Sequence, residues 1–361
     1  MIDVPVNLGT RSYRIVIGVG ALSAIGAELA RLKVGRKVAL VTDPAILALH
    51  GAVVTQSLGA ASFDVTMVLL PEGERAKTLD VAASTWERFL DAGLNRSSTV
   101  VALGGGAVGD LAGFAAATYM RGANLVQLPT TLLAQVDASI GGKTAIDHPR
   151  AKNLIGAFYQ PRLVLADTAA LLTLPERELR SGLAEVIKHG IVLDAAYFDE
   201  VERDSAALMR REPATLERIV AGSCRLKASV VERDEQEAEL RHVLNYGHTI
   251  GHAIEAVTSY RRFAHGEAVS LGIAAEAGIA ERLGLAEPAT RARQLRLLEA
   301  VGLPVRGVGE APERVVEALA RDKKAKDGRV PFVLAPEIGA FRLVYDVPRS
   351  DVLAVLGELR P

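Results

Sequence analysis

The chain has 361 residues, of which 49% are hydrophobic and 24% are charged, and its formal net charge at pH 7 is −1. This length suggests two domains, and the balanced composition excludes a disordered protein. The near-neutral charge argues against nucleic acid as the main partner, although local basic groups can still bind a small anionic substrate.

Cys224 is the only cysteine, so no disulfide can form within the chain, and this suits a reducing compartment. The first residues lack the apolar core of a signal peptide. The sequence also has no apolar run of about 18 residues, the length that a membrane span requires. We therefore expect a soluble, cytoplasmic protein with no membrane or nucleic-acid partner.

The first half of the chain alternates short apolar runs with helical patterns. Residues 1–18 alternate apolar and polar side chains, which predicts a strand hairpin. Further strands are predicted by the runs KVALVTD, FDVTMVLLP, STVVALGGG, NLVQLPT and RLVLAD. Because short apolar strands that alternate with helices favour a parallel sheet, we predict an α/β domain over residues 1–176.

From about residue 176 the spacing becomes helical, and Gly and Pro breaks separate the segments. The helical segments are PERELRSGLAEVIKHGIV, PATLERIVAGSCRLKASVVERD, VSLGIAAEAGIAERLG and APERVVEALARD. Near the end, GRVPFVLAPEIGAFRLVYDV predicts a small hairpin. We therefore predict a mostly α-helical C-terminal domain over residues 177–361.

A glycine-rich loop follows the strand VVALG, where Gly104, Gly106 and Gly109 fit the pattern G-x-G-x-x-G. Glycines allow a phosphate to approach the backbone, and a helix N-terminus favours its charge. The match is weak, because no acidic residue ends the next strand and a tight strand–helix turn explains the loop about equally well. Asp43, which ends an earlier strand, is the better candidate for a ribose contact.

The stretch LNYGHTIGHAIE contains two histidines, His248 and His252, four positions apart. If RHVLNYGHTIGHAIE is one helix, then Arg241, Asn245, His248, His252 and Glu255 lie within an arc of roughly 80°. A solvated helix face normally carries Lys/Glu pairs, so this composition favours a functional site. Gly247 leaves open a later start of the helix.

Spacing alone makes His248 and His252 candidate metal ligands, as in H-E-x-x-H proteases, although no glutamate follows His248. Two other segments supply further candidates: His265 and Glu267 in one, and Glu185, Lys188 and His189 in the other. Two histidines and one carboxylate are typical of a catalytic zinc site. Spacing does not decide which two histidines serve.

Several lysines lie in or near these segments. For any one of them a surface position is the simpler interpretation, but together they suit a substrate with two or more negative charges, such as a phosphate and a carboxylate. Two of them lie in Gly-containing stretches that read as loops. The set is Lys143, Lys152, Lys188, Lys227, Lys323 and Lys324.

Seven motifs occur in one order: GGGAVGDLAGFAAATYMRG, QLPTTLLAQVDASIGGKTAID, KNLIGAFYQP, SGLAEVIKHG, LNYGHTIGHAIE, HGEAV and DKKAKDG. With them the sequence closely resembles the 3-dehydroquinate synthases of the sugar phosphate cyclase family, over about residues 35–335. The resemblance implies a Rossmann-like NAD-binding domain, a helical metal-binding domain and a homodimer. It also implies conversion of 3-deoxy-D-arabino-heptulosonate 7-phosphate to 3-dehydroquinate and phosphate, in the second step of the shikimate pathway.

The implied reaction begins with a transient NAD-dependent oxidation, continues with β-elimination of phosphate and re-reduction, and ends with an intramolecular aldol closure.

The resemblance implies Glu185, His248 and His265 as ligands of Zn²⁺ or Co²⁺, and His252 as a residue that assists proton transfer. The implied NAD contacts are Asp43, Glu72, Lys77, Gly105, Gly106, Asp110, Thr130, Thr131, Lys143, Lys152 and Thr173.

The other implied residues act on the substrate. Asp137, Lys188 and His252 are implied to handle protons and to orient the reacting groups. Arg121 is implied to reach the phosphate bound to the neighbouring subunit, and Lys323 or Lys324 to close over the substrate. The implied substrate anchors are Lys143, Lys152, Asn153, Lys227, Arg241 and Asn245.

Two positions depart from the family pattern, which often has asparagine where this chain has Ala45 and Asp147. Three rival functions remain open. Another cyclase acting on glucose 6-phosphate or sedoheptulose 7-phosphate would differ at the substrate anchors. A metal-dependent alcohol dehydrogenase would release NADH in each turnover, and a non-catalytic NAD-binding protein would tend to lose metal ligands.

Overall fold

The computed structural model describes residues 1–319 and 330–360, and the chain divides into two compact units. The first unit contains Met1–Pro175 and Leu216–Gln236, and the second contains Glu176–Thr215 and Glu237–Pro361. The first break lies one residue from the predicted boundary. The prediction assigned all of residues 177–361 to one domain, however, whereas the structure returns residues 216–236 to the first unit.

A seven-stranded sheet forms the centre of the first unit, in the order β1-β2-β9-β6-β5-β3-β4. The strands β1 and β2 form the predicted antiparallel hairpin, and all other neighbours are parallel. Each predicted strand is thereby confirmed. The strands are β1 Ile2–Val6, β2 Tyr13–Gly18, β3 Lys37–Thr42, β4 Asp64–Leu69, β5 Thr99–Gly104, β6 Asn124–Pro129 and β9 Leu163–Asp167.

Helices cover both faces of this sheet, which explains why its strands read as continuous apolar runs. Within β3, Val38 and Leu40 belong to one buried cluster, whereas Ala39 and Val41 belong to another. Successive side chains of a strand point to opposite faces, so each face has its own core. The helices of this unit are α1 Ile25–Leu32, α2 Pro44–Ile46, α3 Ala52–Ala60, α4 Leu79–Asp91, α5 Gly106–Thr118 and most of α8 Pro213–Arg233.

A separate antiparallel hairpin, which the sequence analysis did not predict, is formed by β7 (Lys143–His148) and β8 (Ala151–Phe158). The lysines at 143 and 152 were interpreted as loop residues, and that interpretation is wrong: Lys143 begins β7 and Lys152 lies on β8. The nearby glycines obscured the strands, because glycine is unfavourable inside a strand and common in turns.

The second unit is mostly helical, as predicted. Its helix α10 is buried along nearly its whole length, so the neighbouring helices pack around it. A small antiparallel hairpin is formed by β10 (Phe332–Leu334) and β11 (Arg342–Val344), as predicted. Among the described residues, no helix combines the length and apolarity needed to cross a bilayer. The helices are α6 Glu176–Leu193, α7 Ala195–Met209, α9 His248–Val257, α10 His265–Arg282, α11 Pro288–Ala300, α12 Pro312–Leu319 and α13 Arg349–Glu358.

Candidate metal and cofactor sites

The stretch 241–255 is not one helix, so the prediction of a single five-residue stripe is wrong. Residues Leu240–Asn245 form a 3-10 turn, and α9 begins only at His248. Gly247 breaks the helix with a φ of 77°. Its N–H donates a 2.7 Å hydrogen bond to the carboxylate of the buried Glu276 on α10. Arg241 and Asn245 therefore do not share a helical face with the two histidines.

Three side chains from three helices of the second unit form a candidate metal centre. Glu185 of α6, His248 of α9 and His265 of α10 each offer a donor atom, and the three atoms lie within 4.8 Å of one another. Oε1 of Glu185 is 3.3 Å from Nε2 of His248 and 3.6 Å from Nε2 of His265. One carboxylate and two imidazoles form a donor set that suits Zn²⁺ and leaves positions open for substrate.

The ring nitrogen Nδ1 of each histidine faces an acceptor, so it can keep its hydrogen when Nε2 binds a metal. Nδ1 of His248 is 3.2 Å from the carbonyl oxygen of Tyr246, and Nδ1 of His265 is 3.4 Å from Oε1 of Glu255. A carbonyl or carboxylate oxygen can only accept, so each Nδ1 would donate to its oxygen when Nε2 serves as a metal ligand. Both Nε2 atoms face Oε1 of Glu185, which is the side on which a shared metal would lie.

His252 lies beside this set without belonging to it. Its ring centroid is 5.3 Å from that of His248, with the rings nearly perpendicular. A second possible donor set contains His252, Glu255 and His265, and these residues are only half-buried or at the edge of burial. In that set Glu255 would be a ligand, although it already faces Nδ1 of His265. We therefore retain Glu185, His248 and His265 as the predicted ligands.

The carboxylate of Glu185 is fully buried, and the ammonium of Lys188, one turn further along α6, pairs with it. The pKa of the Glu185 carboxyl lies well below its usual value. Burial alone would raise this pKa, but the positive charge of Lys188 and the contact with His248 lower it by more. Burial lowers the pKa of His248. The carboxylate is thus ionised and the His248 imidazole neutral at pH 7, the protonation states that a metal ligand needs.

Burial also acts on His265, but there the carboxylates of Glu185 and Glu255 dominate and raise its pKa to about 10. Metal binding at this histidine must therefore displace a proton. Glu267, the acidic neighbour noted in the sequence, has a structural role instead. Its carboxylate accepts from the N–H of Ala264 at 2.8 Å and pairs with Arg177, so it caps the start of α10.

Three of the predicted NAD contacts directly follow the ends of parallel strands. Asp43 follows β3, Gly105 follows β5 and Thr130 follows β6, and these three strands are neighbours in the sheet. In open α/β sheets this is the edge where nucleotides bind. A Cβ on Gly105 would lie 3.2 Å from Cγ2 of Thr131, so glycine keeps the start of α5 open for a phosphate.

A charged cluster lies beside this edge, around the buried Lys77. Its ammonium is 2.7 Å from the carboxylate of Asp110 and donates to Oδ1 of Asn153. Burial raises the pKa of Asp110 to about 6, even though Lys77 opposes this change. The structure adds Glu74, whose carboxylate is 2.9 Å from Nζ of Lys152.

Glu74 is not among the residues that the resemblance implies, whereas Glu72 is, and both side chains are exposed. The spacing of three between Glu74 and Lys77 is a signal that could have found it, since residues three apart lie on one side of a helical turn. Asp137 and Lys227, which the resemblance implies separately, lie together in the first unit. Nζ of Lys227 donates to the carbonyl of Asp137 at 2.7 Å and to its carboxylate at 2.5 Å.

The remaining predicted residues are more scattered. Thr173 lies with its hydroxyl 3.4 Å from Nε2 of His50, and the exposed Arg121 has a φ of 63°. In the second unit Arg241 is buried, and the amide of Asn245 donates to Glu237 at 3.3 Å. The predicted Lys323 and Lys324 lie outside the described residues.

The comparisons with known proteins agree on one family. The model of the 3-dehydroquinate synthase N-terminal domain matches residues 67–181, and the model of the C-terminal domain matches residues 182–325. A curated protein named 3-dehydroquinate synthase, from Pelotomaculum thermopropionicum, is 53% identical over 340 residues, which cover 94% of this chain and 92% of that protein.

Two solved structures resemble the chain along its whole length. One is a 2-deoxy-scyllo-inosose synthase complexed with carbaglucose-6-phosphate, NAD⁺ and Co²⁺, with a TM-score of 0.91 and 27% identity over 99% of this chain and 100% of that chain. The other is a 2-epi-5-epi-valiolone synthase from Streptomyces hygroscopicus subsp. jinggangensis with NAD⁺ and Zn²⁺ bound, with a TM-score of 0.89 and 28% identity over 99% of each chain. Sequence identity is thus much higher with the curated relative, and the chain belongs to the 3-dehydroquinate synthase family.

Proposed function

We propose that the chain converts 3-deoxy-D-arabino-heptulosonate 7-phosphate to 3-dehydroquinate and phosphate, the second step of the shikimate pathway. In this proposal it is a phosphorus–oxygen lyase that depends on NAD and on a divalent metal, Zn²⁺ or Co²⁺. The observation that carries the proposal is the donor set of Glu185, His248 and His265 in a chain of this family.

The degree of identity favours this substrate over those of other cyclases. The two solved neighbours with other cyclase names are 27% and 28% identical, against 53% for the relative named 3-dehydroquinate synthase. The substrate anchors agree, since Lys143, Lys152, Asn153, Lys227, Arg241 and Asn245 suit an anion that carries a carboxylate and a phosphate. A dehydrogenase that released NADH would not need so many anion-binding groups.

The residues of the chain divide the work. When bound, NAD would accept and return a hydride, and a divalent metal held by Glu185, His248 and His265 would polarise the reacting hydroxyl. Lys188 keeps the carboxylate of Glu185 ionised. His252 lies half-buried beside His248. It is suited to hold and deliver a proton, because an imidazole can serve as a general acid or a general base.

In the first unit, Lys227 fixes the carboxylate of Asp137 in place, so Asp137 can orient a substrate hydroxyl or take its proton. The proposed NAD contacts are the eleven positions that the resemblance implies, together with Glu74, which pairs with Lys152. A cytoplasmic location is part of the proposal, and the single buried cysteine is compatible with a reducing compartment.

We also propose a homodimer, in which Arg121 reaches the phosphate bound to the neighbouring subunit. The strand β8 supports this, because it presents Leu154, Ile155 and Phe158 as exposed apolar side chains on a two-stranded hairpin. Exposed apolar side chains grouped on one strand are a feature of surfaces that bind another chain. Light scattering is expected to give about twice the chain mass of 38.2 kDa, and a mass of one chain would contradict the proposal.

Phosphate release tests the proposed activity directly. The purified chain is incubated with the heptulosonate phosphate, Zn²⁺ and NAD⁺ at a concentration far below that of substrate. We expect many phosphates per NAD⁺, no net NADH and dehydroquinate as the product, because the hydride returns in each cycle. Stoichiometric NADH from another alcohol without phosphate release would instead indicate a dehydrogenase.

A further inference from the structure

Asp147 lies opposite an irregularity in the β7–β8 hairpin. Regular pairing holds at Ile146 with Ile155 and resumes at His148 with Ala151. Between these pairs β7 has only Asp147, whereas β8 has residues 152–154. Such bulges interrupt the hydrogen bonds of a strand pair and redirect side chains, often next to an active site.

The side chain of Asp147 replaces part of the missing strand pairing. Its Oδ1 accepts a 2.8 Å hydrogen bond from the N–H of Asn153, and its own N–H donates to the carbonyl of Lys77 at 2.7 Å. Asn153 has a φ of 50°, in the left-handed region that non-glycine residues seldom adopt. The acceptor on Asp147 thus holds an unfavourable backbone conformation in place.

That conformation determines where two predicted site residues point. Oδ1 of Asn153 accepts from Nζ of Lys77, which is 2.7 Å from the carboxylate of Asp110. Lys152, the residue before Asn153, extends to Glu74 at 2.9 Å. The whole cluster therefore depends on the path of the chain at residues 152–154.

We propose that Asp147 is a positioning residue, which acts through Asn153 to hold Lys77 and Lys152 in the geometry that NAD⁺ binding requires. The inference rests on the proposed function, because these residues are the proposed cofactor contacts. In this proposal Asp147 positions Asn153 through the hydrogen bond that Oδ1 accepts directly from the Asn153 N–H. The negative charge of the carboxylate is a different property of Asp147. Two substitutions distinguish the effect of this charge from the effect of the hydrogen-bond acceptor.

Asp147→Asn keeps an oxygen acceptor at the same distance from the backbone and removes the charge. Asp147→Glu keeps the charge and moves the acceptor by one methylene. We expect calorimetry to show NAD⁺ binding within about threefold of the unaltered chain for D147N, and binding weaker on the order of tenfold for D147E, because one hydrogen bond is lost. Asp91→Glu, the same chemical change at an exposed position, is expected to leave binding unchanged.

Steady-state phosphate release adds a second measurement, in which D147E is expected to raise the KM for NAD⁺ more than it lowers kcat. The midpoint of thermal unfolding is also compared for all three variants. If Asp147 had only a structural role, D147E would lower this midpoint without raising the KM for NAD⁺ more than it lowers kcat. Equal NAD⁺ binding by D147E and the unaltered chain, or weaker binding by D147N than by D147E, would overturn the inference and leave the proposed function intact. Failure of the unaltered chain to bind NAD⁺ would overturn both.

Discussion

Replacing His265 by alanine is expected to remove stoichiometric metal binding and to lower the rate of phosphate release by at least about 10³-fold. A catalytic metal supplies several kcal/mol of transition-state stabilisation, and each 1.4 kcal/mol corresponds to about tenfold in rate. Of the three proposed ligands His265 is the most exposed, with 32% of its side chain accessible against 11% for His248 and 0% for Glu185. Its loss should therefore leave the fold intact. Elemental analysis after dialysis gives the metal content, and circular dichroism checks the fold.

Glu255→Ala provides a graded control for this experiment. Glu255 contacts Nδ1 of His265 at 3.4 Å and is not one of the proposed ligands. We expect a 10–100-fold loss of metal affinity, typical of residues that orient a ligand, with activity restored by excess Zn²⁺. A His265→Ala chain that keeps one metal per chain would show that the assigned ligand set is wrong. Complete and irreversible metal loss in Glu255→Ala would instead favour the set of His252, Glu255 and His265.

Apolar runs and helical spacing in the sequence predicted most of the strands and helices, because each depends on how a short segment buries its own apolar side chains. The run Lys37–Thr42 reads as a buried strand since both of its faces pack against helices, and α6 shows helical spacing along its length. The hairpin β7–β8 escaped prediction because its neighbouring glycines read as a loop. The sequence also did not predict that residues 216–236 belong to the first unit. Their position depends on contacts of Cys224 and Lys227 with residues about 90 positions earlier in the chain.

The candidate site was only partly predictable from residue types. Spacing identified the region, but it favoured His248 with His252, because these two lie four apart in sequence. The set now proposed combines donors from α6, α9 and α10, and no local spacing relates Glu185 to His265. The resemblance to a known family supplied that combination. Periodicity likewise extended α9 too far, since the break at Gly247 is imposed by α10.

Gly247→Ala is expected to lower the free energy of unfolding of the second unit by about 3 kcal/mol. A left-handed conformation costs alanine about 1–2 kcal/mol, and overpacking costs about 1–3 kcal/mol more. Here φ is 77°, and an added Cβ would lie 2.6 Å from Cγ1 of Ile273 and 2.8 Å from the carbonyl oxygen of Val269. The backbone at the start of α9 must then move away from α10. The midpoint of urea unfolding, followed by helical circular dichroism, measures this loss.

The same displacement should weaken metal binding, because His248 is the next residue and its Nδ1 is fixed by the carbonyl of Tyr246, on the other side of Gly247. Gly357→Ala is the matched control, since a Cβ on Gly357 in α13 would meet no atom within 4 Å. There alanine is expected to raise stability by about 0.5–1 kcal/mol, as it does within exposed helices. Equal unfolding midpoints for the two variants would mean that α10 does not impose the break before His248, and that the histidine is positioned by α9 alone.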